Sequence, residues 1–329
     1  MKKLLLGSAL AASVLLAGSS YAETKVSGYL ETTVTSSESK TAGVAGTSTP
    51  SNIGHEASID LKTSKELDNG FTMTAGFGTQ DGSIADQYLK LATGNTTLAI
   101  GSDVTGVTDN VSLEDFTGHI NQSFHDIGIG GITGAGSISV HGGNAFYVIQ
   151  KSDMITFEGA YAPTSSGTGS SAASATTQTT GSGYDLAVHG NLGVEGLKVG
   201  YGITEASQDG TSSLNDEVAT YGIKYSMGGF TVGYGNTTTK IGGANNTKVE
   251  KESSSLGVVY EVSDALSVGV YTGLVEVPTV VDDESLLSVQ VGYDFGGMGL
   301  TVGYYEAEDV AGVRGTDSSV FEVRTVTKF

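Results

Sequence analysis

The chain of 329 residues contains no cysteine and no tryptophan, only three prolines, and arginine only at Arg314 and Arg324. Without cysteine there is no disulfide framework and no thiolate chemistry or metal-thiolate site. Sixteen Lys plus Arg stand against 36 Asp plus Glu, for a net charge of −20, which removes the basic footprint a nucleic-acid binder requires. Long hydrophobic runs are also missing. The longest lies at the start, from Leu4 to Leu16, and falls short of the roughly 20 apolar residues a spanning helix needs. Helical periodicity is scarce elsewhere.

The first 22 residues read as a secretory signal peptide. Lys2 and Lys3 precede the apolar run, and "SSYA" places small Ser20 and Ala22 where cleavage after Ala22 needs them. The stretch "LLAGS" has Ser19 where a lipoprotein signal would carry cysteine, so no lipid anchor is expected. Residues 23–329 then form one exported domain, more acidic still once Lys2 and Lys3 are removed.

What the chain has in abundance is glycine, 49 residues, together with two-residue alternation. Alternation predicts sixteen strands near 24–34, 55–66, 71–79, 86–93, 96–102, 142–150, 154–162, 183–192, 196–207, 216–227, 230–240, 254–263, 266–277, 285–295, 299–308 and 318–329. Most run longer than the roughly 5–6 residues usual for globular strands and approach the 9–11 that cross a bilayer at a tilt. The links fall into two alternating sets. Seven are tight and rich in Gly, Asn and Asp: "LDNG", "TGN", "KSD", "GVE", "GG", "SDA" and "GGM". The other eight are longer and polar, near 35–54, 80–85, 103–141, 163–182, 208–215, 241–253, 278–284 and 309–317. A soluble sandwich has no reason to sort loops this way, whereas a meander across a membrane does.

The fold class that follows is all-β, a closed 16-stranded antiparallel transmembrane barrel. Hydrocarbon offers no partner to an unpaired backbone group, so the sheet must close. The Leu/Val/Tyr/Phe face meets lipid and the Gly/Ser/Thr/charged face meets water. Phe71, Tyr225, Phe230, Tyr293 and Phe295 lie near short turns. Phe77, Tyr161, Tyr184, Tyr201, Tyr234 and Tyr304 lie nearer long loops, as two headgroup-level aromatic belts require.

The last strand, "SSVFEVRTVTKF", puts Phe321, Val323, Thr325, Thr327 and Phe329 on one face and stops on an aromatic. "NTTLAIGSD" (95–103) runs into a long link, and "NAFYVIQKSDMITFEGAYAP" (144–163) follows as strand–turn–strand. On these segments the chain resembles the general porins of Gram-negative outer membranes over essentially its whole mature length. The resemblance implies a homotrimer of water-filled barrels in outer-membrane lipid. It implies passive passage of ions and small hydrophilic solutes, no cofactor and no catalysis. It also implies that Phe329 is the assembly signal read by the barrel assembly machinery, and that the third loop, here 103–141, folds inward as a constriction. That loop carries Asp103, Asp109, Glu114, Asp115 and Asp126, with "LEDFTGH" (113–119) standing where the family has a short acidic signature.

Across from that loop, alternation turns Lys62, Lys90, Lys198, Lys224 and Arg324 inward. It does the same for the acids Glu31, Asp60, Glu158, Asp185, Asp294 and Glu322. With carboxylates in excess, a cation-preferring lumen is expected. Inward Gly200, Gly202, Gly222 and Gly303 either make room for the loop or bend the strands.

Three other readings remain open, one of them a surface adhesin or secreted β-rich repeat protein, against which the terminal Phe329 and the sorted loop lengths speak. A substrate-specific channel would use inward aromatics as a track, with Tyr29, Tyr88, Tyr271 and Tyr305 as candidates. An outer-membrane hydrolase would need His189 or His141 beside a nucleophile. No nucleophile elbow, zinc motif or phosphate loop occurs, and His119 and His125 match no usual metal-ligand spacing. The stretch 164–183 is Ser/Thr/Gly-rich and reads as an outer loop.

Overall fold

The computed structural model describes residues 22–41, 43–44, 46–102, 109–111, 116–117, 145–163, 182–206, 216–242, 248–276, 278 and 282–329. The signal-peptide reading of 1–22 lies outside them except for Ala22. Sixteen strands follow one another: β1 (Glu23–Lys40), β2 (Thr47–Glu66), β3 (Thr72–Gln80), β4 (Ser83–Thr93), β5 (Thr96–Ser102), β6 (Ala145–Lys151), β7 (Ile155–Ala162), β8 (Gly183–Gly190), β9 (Leu197–Ala206), β10 (Asp216–Met227), β11 (Phe230–Gly242), β12 (Lys248–Glu261), β13 (Leu266–Glu276), β14 (Glu284–Asp294), β15 (Met298–Glu308) and β16 (Asp317–Lys328). Each pairs antiparallel with the next, and β16 returns to β1 from Tyr29↔Lys328 to Lys40↔Asp317, closing the barrel. The seam is tied off at the chain end. The backbones of Gly28 and Phe329 exchange both hydrogen bonds at 3.0 Å.

The two faces are inverted relative to a soluble protein. Leu186, Val232 and Phe157 are exposed on the outside, while Asp185 and Gln290 are wholly buried within. In β10, Tyr221, Ile223 and Tyr225 point out, and Thr220, Gly222 and Lys224 point in. Only a hydrocarbon solvent makes such an outer band favourable. Outer aromatics meet at the turn end: Phe230 stacks on Tyr260 of the neighbouring strand at 4.4 Å between centroids, and Tyr293 tilts against Phe295, two residues on in the same segment, at 4.6 Å.

Three expectations need correction. Residues 80–85 are not a long link: β3 and β4 join through Asp81 (φ 48) and Gly82 (φ 80), a two-residue turn with both dihedrals positive. Asp-Gly is a strong signal for that turn. Asp81 also clamps β2, since Ala57 N–H donates to its Oδ1 and its own N–H donates to Ala57 O, each at 2.9 Å. Second, most of 35–54 is strand, because β1 and β2 continue to Lys40 and from Thr47. Third, β12 starts at Lys248 instead of near 254. In both cases the hydrophobic alternation fades into Ser, Thr and Glu while the backbone ladder continues. The side-chain pattern stops where hydrocarbon ends, but pairing needs no hydrocarbon. The β1–β2 hairpin therefore rises above its neighbour, with β2 meeting β3 only from Ser58↔Gln80 downward.

Inward tyrosines lie against glycines. Tyr88 covers Gly76, Tyr305 covers Gly303, and Tyr271 covers Gly269 and Gly257. A large ring laid flat on a residue without a side chain takes little lumen, which fits a wall that must leave room for water.

Candidate pore and its constriction

Of the loop between β5 and β6, two pieces are described: a 3-10 turn at Asp109–Val111, and Phe116–Thr117. Both lie inside the barrel, and the turn packs on β8, β9 and β10. Val111 and Phe116 are completely buried. The wall beneath them is a row of glycines in register. Gly200 on β9 faces Gly222 on β10, and Gly233 on β11 faces Gly257 on β12, with Lys224 opposite Gly233. A Cβ added at Gly200 would come 2.8 Å from Phe116 Cζ, and one at Gly222 2.6 Å from Phe116 Cβ. At Gly233 it would meet Thr117 Cα at 2.9 Å, and at Gly257 the Thr117 carbonyl carbon at 3.0 Å. Real Cβ contacts do not come this close, so a side chain at any of these positions would displace the loop.

Polar ties secure the same segment. The Thr220 hydroxyl donates to Val111 O at 3.0 Å and lies 2.8 Å from the Thr237 hydroxyl. Asn110 Nδ2 donates to Glu158 Oε2 at 2.9 Å, and the other Glu158 oxygen lies 3.0 Å from His189 Nε2. Lys198 Nζ sits 5.1 Å from the centre of the Phe116 ring, within cation–π range.

The strand order also places the charges. Lys62 (β2), Lys90 (β4) and Arg324 (β16) stand across the barrel from the loop seat. Lys198 (β9) and Lys224 (β10), expected on that far wall, stand on the loop's own wall. Alternation fixes which face a side chain takes; the angle around the cylinder follows from strand number, and the seat falls on β8–β12. Arg324 Nη2 pairs with the Glu31 carboxylate, and Lys90 Nζ lies 4.5 Å over the Tyr88 ring. Glu31, Glu158, Asp185 and Glu322 are buried on the inner wall and Asp60 is half-buried. Asp294 also serves its turn, accepting from Gly296 N–H at 2.7 Å. Of the loop acids, Asp103, Glu114, Asp115 and Asp126 lie outside the described residues, as does the Asp109 side chain.

Below the seat a cavity of about 1080 Å3 opens toward the short turns. Tyr29, Glu31, Lys224, Glu261, Asp294 and Arg324 help to line it. Sequence reasoning missed Glu56, which accepts from the Tyr29 hydroxyl, and the contributions of Gly233 and Gly257. Inward glycine on neighbouring strands at one level was the available signal. Of the four tyrosines named for an aromatic track, Tyr271 and Tyr305 are fully buried against the wall, while Tyr29 and Tyr88 are half-buried and Tyr29 lines the cavity. Among the described residues no group of three or more His, Cys, Asp or Glu is arranged to hold a metal ion, and His119, His125 and His141 lie outside them.

This is the architecture of a closed barrel with a polar inner face and pieces of one loop seated on its inner wall. Residues 9–325 match the Gram-negative porin family, and the chain belongs to it. Solved structures agree on the fold. A porin refined at 1.8 Å is 15% identical over 93% of this chain and 100% of its own, with a TM-score of 0.65. OmpT, an outer membrane protein of Vibrio cholerae, folded in vitro, is 15% identical over 95% and 99%, at 0.67. A variant of the Rh. blastica porin is 16% identical over 93% and 100%, at 0.62. No curated protein sequence matches. The protein is an outer-membrane channel of the Gram-negative porin class.

Proposed function

We propose that the protein is a general diffusion porin that passes ions and small hydrophilic solutes down their gradients and prefers cations. The seated loop beside an open, charged cavity carries this reading: it narrows the passage without building a solute-specific pocket. Cation preference is supported by the acid excess of the chain. One wall base, Arg324, is also offset by its pairing with Glu31. The constriction acids in this reading are Asp103, Asp109, Glu114, Asp115 and Asp126, facing Lys62, Lys90 and Arg324, while Lys198 and Lys224 flank them. The specific-channel and hydrolase alternatives lose support. Two of the four track tyrosines, Tyr271 and Tyr305, are buried against the wall, and Glu158 beside His189 is engaged by Asn110 of the loop.

The test is the reversal potential of the purified mature protein in a planar bilayer under a potassium chloride gradient. The expected sign is that of a cation-preferring pore, and the anion sign would overturn the charge argument. Glu114→Gln with Asp115→Asn should lower the preference by about two-fold or more, as removal of charges from a constriction does; an unchanged value would exclude both from the passage.

The same proposal includes removal of residues 1–22, checked by a mature amino terminus at Glu23, and recognition of Phe329 by the barrel assembly machinery. It also includes a homotrimer. Outward tyrosines occur on β7–β11, β12, β14 and β15, but β1–β5 carry none, and that arc presents His55 bonded to Thr32. Lipid-facing surface favours an aromatic belt and disfavours histidine, whereas a second copy tolerates the reverse. An unboiled gel band at three times the boiled mass supports the trimer, and a monomer band would end it.

A further inference from the structure

We infer that Phe116 is the positioning residue that sets the aperture: its ring, seated in the notch left by Gly200 and Gly222, pins the constriction loop to the β9–β12 wall. The inference rests on the reading of 103–141 as the constriction.

The ring is completely buried in a barrel whose lumen is otherwise wet. Burying a phenyl ring inside a water-filled pore is favourable only where the wall offers an apolar or backbone surface shaped to it. Two glycines in register on adjacent strands offer that surface. The notch is bounded on one side by Val111 and on another by Lys198, whose ammonium lies against the ring face. The Thr117 backbone then crosses Gly233 and Gly257, so the chain direction after the ring is also fixed. The hydrogen bonds of Asn110 and Val111 hold the loop upstream of the ring, but each contributes only about 0.5–1.5 kcal/mol net, because a released loop would exchange them for bonds to water. The ring is the contact water cannot replace. Because Lys198 is seated on it, the ring also holds one wall base in place, so aperture and local charge depend on one side chain.

The notch can be removed from either side, which permits a clean test. A Cβ at Gly222 would lie 2.6 Å from Phe116 Cβ, so Gly222→Ala fills the notch from the wall side and should unseat the ring. Single-channel conductance and the size cut-off for graded polyethylene glycols are read for four proteins: wild type, Phe116→Ala, Gly222→Ala and the double variant. Phe116→Ala is expected to raise conductance by about two-fold and admit larger polymers, because conductance follows the open cross-section. Gly222→Ala should shift both readouts in the same direction, and the double variant should change them no further than Phe116→Ala alone, because both substitutions remove one contact. Fully additive effects in the double variant would show that ring and notch act separately and would overturn the inference. If Phe116→Ala misfolds, as judged by loss of heat-modifiable migration, the milder Phe116→Leu takes its place. Wild-type conductance and cut-off in a folded Phe116 variant would overturn the pin. Absence of any current from the wild type would instead refute the channel reading, so the two failures are separable.

Discussion

At the scale of single residues, the lumen is organised by what lies against glycine. Tyr88, Tyr271, Tyr305 and Phe116 are four of the large inward rings, and each of the four meets a glycine of the wall. These positions were only half legible in the sequence. Gly200, Gly222 and Gly303 stood out as inward glycines, but whether they made room or made bends was undecided. The contacts decide for room, because a Cβ at each would collide with a ring. Charges behave similarly: alternation turned Arg324 and Glu31 to the same face without revealing that they pair. Both side chains are largely shielded, so Arg324→Met should cost about 1–3 kcal/mol by stranding the Glu31 carboxylate. The expected readouts are a lower heat-modification midpoint and a stronger cation preference. Glu31→Gln in the same protein should recover most of the midpoint. If Arg324→Met left both readouts unchanged, the pair would have no energetic role.

Strands and turns obey rules that were largely visible in advance. Every one of the sixteen predicted strands overlaps an observed one, because period-two alternation persists wherever one face meets lipid. The errors cluster where that contrast ends. Above the hydrocarbon both faces of β1, β2 and β12 become polar, so the pattern vanished while the ladder continued. The β3–β4 link was misjudged for length although Asp81-Gly82 carries the composition of a tight turn. Both residues take positive φ there, and Gly82 does so without a Cβ penalty. Gly82→Val should therefore destabilise the hairpin by about 1–2 kcal/mol through left-handed strain. A thermal melt of the folded barrel in detergent measures it. An unchanged melt would show that the turn adopts another geometry.

For the whole molecule, the governing fact is that oil lies outside and water within, so adjacent residues on one strand have opposite solvents. Val258 and Val259 on β12 provide the direct comparison. Val258 faces out, while Val259 lines the cavity below the seat. Val258→Arg should destabilise the folded barrel by about 2–4 kcal/mol if it lies near the bilayer midplane. Val259→Arg should leave the unfolding midpoint in lipid nearly unchanged and shift the reversal potential toward anions. Equal effects of the two substitutions on stability would contradict the inside–outside assignment.

The sequence alone determined the class of solvent on each strand face, the number of strands and the need for closure, because these follow from local alternation and from hydrocarbon's inability to pair with backbone. It also carried enough segment-level likeness to point to the family. Only the tertiary structure decided which wall receives the loop, since angle around a cylinder depends on every strand between. For the same reason it alone separated Lys198 and Lys224 from the bases across the lumen. It also revealed the glycine seat, a surface made by residues from 200 to 257 that come level only once the register of β9 to β12 is fixed.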